Sequence, residues 1–178
     1  MEQKSIFQKV ADPVTPENSV LLLVDHQSGL MAGVGTTDPH LLRDSLVGAV
    51  KAAKVLGIPV ILTEVTPNIW GPFIPDVTAI VPEVKVISRS IINAWDDPEV
   101  RKAIEATGRK KILIGAVTTN VCLAFPAVSL TAEGYDVHAM MDLAGTYNDL
   151  LDRSAWEYLK QGGVVISSSY TAFCQMIY

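Results

Sequence analysis

The chain has 178 residues, 49% of them hydrophobic and 19% charged, with a formal net charge of −5. That length suits one domain with a substantial core. The acidic balance argues against a nucleic-acid partner, and no apolar run reaches the ~20 residues of a membrane-spanning helix.

Taken in order, residues 1–18 are polar and proline-marked, as expected of an N-terminal arm lying on the body or on a neighbouring subunit. Ser19 to Val24 reads as a buried strand ending at Asp25. His26 to Pro39 holds three glycines and is predicted to be a loop with at most a helical turn. From Leu41 to Leu56 an apolar stripe (Leu42, Leu46, Ala49, Val50, Ala53) recurs at helical spacing and stops at Gly57. Ile58 to Leu62 is a second strand, ending near Thr63 and Glu64.

Thr66 to Pro82 carries four prolines and three apolar residues read as exposed, Trp70, Phe73 and Ile74, the pattern of a lid or contact loop. Val84 to Ser88 is a third strand leading to Arg89. Asp97 and Pro98 open a helix that runs to Gly108. Ile112 to Gly115 is a fourth strand, followed by the cap-forming Thr118, Thr119 and Asn120 and a helix ending at Gly134. Cys122 falls in the first turn of that helix, where free N–H groups and the helix dipole favour a thiolate. Pro126 should bend the helix. Tyr135 to Met141 is a fifth strand reaching Asp142, which is expected to cap the segment after it. A helix over Asp149 to Gln161, a sixth strand over Val164 to Ile166 and a short helix from Ser169 complete the chain.

Strands alternating with helices predict a doubly wound, three-layer α/β/α sandwich with a six-stranded, mostly parallel sheet, one domain over 1–178. In such a sheet ligands bind outside the carboxyl ends of the strands. Asp25, Arg89 and Cys122 follow the first, third and fourth strands, so a carboxylate, a cation and a thiol share one edge. Cys174, in an apolar terminal helix, is expected to serve packing. His26, His40 and His138 do not cluster, and no zinc-type spacing, Walker loop or Gly-x-Ser-x-Gly elbow is present, so no metal or cofactor is expected. Two distant cysteines and no apolar leader after Met1 predict no disulfide framework and a cytoplasmic setting. The high apolar content predicts a homo-oligomer.

Five stretches together resemble the isochorismatase-like cysteine hydrolases, in particular their YcaC-like branch, over nearly the whole chain. They are Leu21-Leu22-Leu23-Val24-Asp25-His26-Gln27, Ile92-Asn93-Ala94-Trp95-Asp96-Asp97, Ala106-Thr107-Gly108-Arg109-Lys110, Gly115 through Pro126 around Cys122, and Asp142-Leu143-Ala144-Gly145-Thr146. The resemblance implies a catalytic triad of Asp25, Arg89 and Cys122, with arginine where the wider family has lysine. It implies a cis peptide between Val117 and Thr118, which shapes an oxyanion hole from the N–H groups of Thr118 and Cys122. The substrate would be a small molecule, an amide or related C–N compound, cleaved through a thioester, with Gln27, Phe73, Asn93 and Trp95 as pocket walls. Relatives of this branch suggest a dimer or a larger assembly, up to an octamer, and no metal. Three rival readings are a non-catalytic binder of the same fold, a thiol redox protein, and a vinyl-ether hydrolase that does not use the cysteine.

Overall fold

Apolar runs of five or six residues dominate the strands because the sheet is covered on both faces. The computed structural model describes residues 4–177. Strands β1 (Ser19–Val24), β2 (Val60–Val65), β3 (Val86–Arg89), β4 (Lys111–Ala116), β5 (Asp136–Met140) and β6 (Val165–Ser167) form one sheet in the order β3-β2-β1-β4-β5-β6. Every neighbouring pair is parallel. Successive side chains along β1 feed opposite cores. Val20, Leu22 and Val24 join one core, while Leu21 and Leu23 join the other.

The first core is closed by helices α6 (Pro98–Ala106), α7 (Ala124–Ala132) and α8 (Asp149–Gln161), which contribute Val100, Ile104, Ala127, Leu130 and Leu159. The second is closed by α3 (Pro39–Val55) and α9 (Ser169–Ile177), through Leu42, Leu46, Val50 and Ala172. The remaining helices are short: α1 (Ile6–Ala11), α2 (Ser28–Met31), α4 (Pro67–Trp70) and α5 (Pro75–Thr78). The α/β/α sandwich read from the sequence is therefore present, and its sheet is wholly parallel. Residues 1–3 of the predicted arm lie outside the described residues; beyond them the arm contains α1, opened by a Ser5–Gln8 capping box.

Four local expectations change. The 66–82 segment contains α4 and α5, and Phe73 and Ile74 are buried, because the segment folds back onto its own β1 and β2 ends. Cys122 lies not in an α-helical first turn but in a π-helical turn, Thr119–Leu123, that precedes α7. The irregularity expected at Pro126 sits upstream of it, in the π-helical turn, leaving the proline in the first turn of α7. Cys174 is exposed on the outer side of α9 and does not pack in the core. Asp142 does act as a cap, but for α9: its carboxylate accepts the Ser169 N–H at 2.7 Å and the Ser169 hydroxyl at 2.6 Å.

Candidate active site

The strand order reverses between β1 and β4, which leaves a crevice at their carboxyl ends. Asp25 follows β1 and Cys122 lies just beyond β4, one on each side of that crevice. Asp25 leaves the sheet in the left-handed region, at φ 61°, a conformation that aspartate tolerates better than most residues. Its N–H still bonds the Thr63 carbonyl at 2.9 Å, and its carbonyl accepts the Gln27 N–H at 2.7 Å, so the turn is fixed at both ends. On the β4 side the chain passes through a cis peptide between Val117 and Thr118. Gly115 is required there: a Cβ would stand 2.5 Å from Leu143 Cβ and 2.7 Å from the Leu143 carbonyl oxygen.

Arg89 is the last residue of β3, two strands from β1. Its side chain spans that ~10 Å and places Nη2 2.5 Å from Asp25 Oδ2, with both side chains fully buried. Its Nη1 donates to the carbonyls of Ile91 and Ile92. The fork therefore clamps the carboxylate on one side and the loop after β3 on the other.

The ionisations of the Cys122 thiol and this carboxylate influence each other, and Asp25 Oδ1 is buried without an aligned donor. Burial raises the Asp25 carboxyl above its ordinary value, against the lowering effect of the Arg89 charge and the thiol hydrogen bond. Burial, then the Asp25 charge, push the Cys122 thiol up to about 12. A resting thiolate, expected from a helix-start position, is thus not what the structure holds. Burial beside an anion outweighs the helix dipole, and α7 itself starts only at Ala124.

The N–H groups around Cys122 are unevenly committed. The Thr118 carbonyl accepts from Val121 at 3.1 Å, Cys122 at 2.8 Å and Leu123 at 3.2 Å. The Cys122 N–H is therefore engaged at rest, whereas the Thr118 backbone acts to lower the pKa of the thiol.

The four residues expected as pocket walls are each held by contacts within the fold. Gln27 Oε1 accepts the Val65 N–H at 2.9 Å, and its Nε2 donates to the Val65 carbonyl at 3.1 Å and the Gly71 carbonyl at 2.7 Å. Phe73 bridges to Gln27 and packs at a tilt of 60° against His26, with ring centroids 5.8 Å apart. Asn93 Oδ1 accepts the Trp95 N–H, and its Nδ2 donates to Asp96 and to Ser129 of α7. Trp95 is buried against Tyr135, at 5.4 Å between centroids, and under the Arg101 guanidinium at 4.2 Å. These contacts fix the loops around the triad, and Trp95 Nε1 is buried without a partner.

Two residues of the site's frame were not singled out from the sequence. Glu64 is buried and accepts the Phe73 N–H at 2.9 Å and the Ser88 hydroxyl at 2.8 Å, tying β2, β3 and the 66–82 segment together. The signal was an acid inside the strand run Leu62-Thr63-Glu64-Val65. His26 Nε2 lies 3.0 Å from the Leu143 carbonyl, joining the β1 and β5 ends, and burial lowers its pKa to about 4, so it is neutral. Its ring turns away from Asp25, onto Leu143 and Phe73. Among the described residues no group of three or more His, Cys, Asp or Glu side chains converges as a metal site would require.

Residues 19–170 match the Isochorismatase domain, and the chain belongs to that family. Within it the chain falls with the YcaC proteins. It is 38% identical over 163 residues to the probable hydrolase YcaC of Escherichia coli, covering 89% of this chain and 77% of that protein. The crystal structure of YcaC from Escherichia coli, described as an octameric hydrolase of unknown specificity, superposes with a TM-score of 0.90 at 34% identity, covering 93% of this chain and 82% of that one. YcaC from Pseudomonas aeruginosa, solved with hexane-2,5-diol and covalent acrylamide, gives a TM-score of 0.90 at 31% identity, covering 93% and 83%. The chain is a hydrolase of this family by these likenesses.

Proposed function

We propose that the protein is a cysteine-dependent hydrolase of a small amide or related C–N compound, working through a thioester on Cys122. One observation carries this: a thiol held against a carboxylate that is itself clamped by a buried guanidinium, at the switch point of the sheet. The raised positions of Asp25 and Cys122 describe one negative charge shared by two sites. Moving the proton from Sγ to Asp25 leaves the net charge of the triad unchanged, so the thiolate can form inside the fold as substrate arrives. Arg89 cannot readily lose its proton and holds the carboxylate in place without acting as base.

In the reaction Asp25 takes the Cys122 proton while Sγ attacks the acyl carbon. The Thr118 N–H turns from the sulfur to the developing oxyanion, joined by the Cys122 N–H as its bond to the Thr118 carbonyl opens; one such donor contributes ~3 kcal/mol. Asp25 then gives the proton to the leaving nitrogen as the C–N bond breaks. Water, deprotonated by Asp25, cleaves the thioester and restores the thiol. The covalent acrylamide described for the Pseudomonas aeruginosa relative supports a nucleophile of this kind, acrylamide being both an amide and a thiol-reactive electrophile.

The assembly is read as an octamer, by likeness to the Escherichia coli relative, and the compartment as cytoplasmic, supported by two cysteines that remain free. The test is a panel of small amides and carbamoyl compounds assayed by mass spectrometry with Cys122→Ala alongside. The variant is expected to keep its fold and lose turnover together with the acyl adduct on Cys122; turnover at the parent rate would refute covalent catalysis. Because Cys174 is exposed, thiol labelling is compared in a Cys174→Ser background.

A further inference from the structure

Thr118 presents two donors to the same sulfur. Its Oγ1 donates to Cys122 Sγ over 3.8 Å, within the range of a hydrogen bond to sulfur, and its backbone also favours negative charge on that atom. The threonine side chain is itself buried, and its hydroxyl has no other hydrogen-bond partner among the described residues. On the opposite side, the sulfur faces the Asp25 carboxylate. The surroundings are otherwise apolar, since Cys122 packs in the core that holds Val24, Ala116, Leu123 and Ala124. Thr118 is accordingly the neighbour that stabilises negative charge on Sγ, while burial and Asp25 oppose it.

The two donors differ in what they do once the reaction starts. When the acyl carbon bonds to Sγ, charge leaves the sulfur and appears on the carbonyl oxygen. A backbone N–H one atom-diameter away can follow the charge to the oxyanion. A hydroxyl on the rotatable Cβ remains beside the sulfur, ready for the moment the thioester breaks and the charge returns.

From this geometry we infer that the Thr118 hydroxyl is a catalytic group, a hydrogen-bond donor that holds the Cys122 thiolate each time it forms. No proton is transferred to or from it: the thiol proton goes to Asp25, and Oγ1–H remains a donor throughout. This rests on Cys122 acting as the nucleophile. A hydrogen bond to a charged group changes an equilibrium by roughly ten- to a hundredfold, so the hydroxyl should be visible in the ionisation of the thiol.

The experiment measures iodoacetamide alkylation of Cys122 against pH in the Cys174→Ser background, for the parent, Thr118→Val, Thr118→Ser and Thr118→Ala. Thr118→Val keeps the shape and removes the hydroxyl. It should move the alkylation profile upward by about one pH unit or more and slow labelling at neutral pH about tenfold. Thr118→Ser and Thr118→Ala differ from each other only by the hydroxyl, so they carry the comparison if Thr118→Val does not fold. The serine variant should label about tenfold faster than the alanine variant. Equal profiles for serine and alanine would overturn the role of the hydroxyl. Cys122→Ala, assayed in parallel for turnover, separates the two claims. If it is active, the nucleophile reading fails; if it is inactive while serine and alanine coincide, only the hydroxyl fails.

Discussion

Arg89 spends its guanidinium on two things at once, the Asp25 carboxylate and the carbonyls of Ile91 and Ile92. A lysine brings one charged nitrogen and cannot hold a planar fork. Arg89→Lys should therefore keep the ion pair and loosen the loop, lowering kcat/KM about ten- to a hundredfold without unfolding the protein. Arg89→Met removes the charge that holds the buried carboxyl down, against the burial that raises it. The Asp25 carboxyl then rises further, and the acidic limb of the kcat/KM profile should move to higher pH; a limb that stays in place would mean that Arg89 does not act on Asp25. The positions of Asp25 and Arg89 were legible in the sequence because each stands where a strand ends, which apolar runs reveal. The hydrogen bonds that Gln27 and Asn93 make were not legible, because the partners Val65, Gly71 and Ser129 lie 36–44 residues away and no local pattern announces them.

At the opposite edge of the sheet, elements are joined by charge. Lys111 of β4 reaches Asp136 of β5 at 2.6 Å and Asp12, beyond α1, at 3.1 Å, while His138 approaches Asp136 at 3.3 Å. Lys9 of α1 is buried and donates to the Gly163 carbonyl at 2.7 Å. Burial alone would raise the Asp136 carboxyl, but hydrogen bonds and charge from His138 and Lys111 outweigh it, and the net position is lowered. A carboxyl that is lower in the fold than in the unfolded chain adds stability above its unfolded value and loses it as pH falls through the folded one. Acidification below about pH 4 should therefore weaken the arm's hold on the sheet. Asp136→Asn should cost about 1–3 kcal/mol at neutral pH, and chemical denaturation from pH 7 to pH 3 should show a smaller loss for the variant than for the parent. The arm was expected from its polarity and prolines. Its anchor was not, since a buried lysine in Lys110-Lys111 looks like any solvated pair until the strand's alternation is known.

A parallel sheet delivers every segment that follows a strand to the same edge, and the exposed apolar side chains gather there. Ile69 and Trp70 follow β2, Ile91 and Ile92 follow β3, Phe125 and Met141 follow β4 and β5, and Tyr147 and Leu150 lead into α8. A second group, Ile6, Phe7 and Val10 on α1 with Tyr170 and Ile177 on α9, is separate in chain position. Alternating strands and helices made the sandwich readable from the chain alone, whereas the apolar excess predicts self-association without locating it. Which face associates is a property of the assembled edge. The first group borders the triad through the loop whose carbonyls hold Arg89, so assembly through it would steady that loop. Ile92→Asp changes a side chain that is 57% exposed and leaves the carbonyl that Arg89 uses. Light scattering should show the parent as a multimer and this variant as a smaller species, with turnover falling in step and recovering as protein concentration drives reassembly. A fully active monomer at nanomolar concentration would show instead that the triad stands without its neighbours.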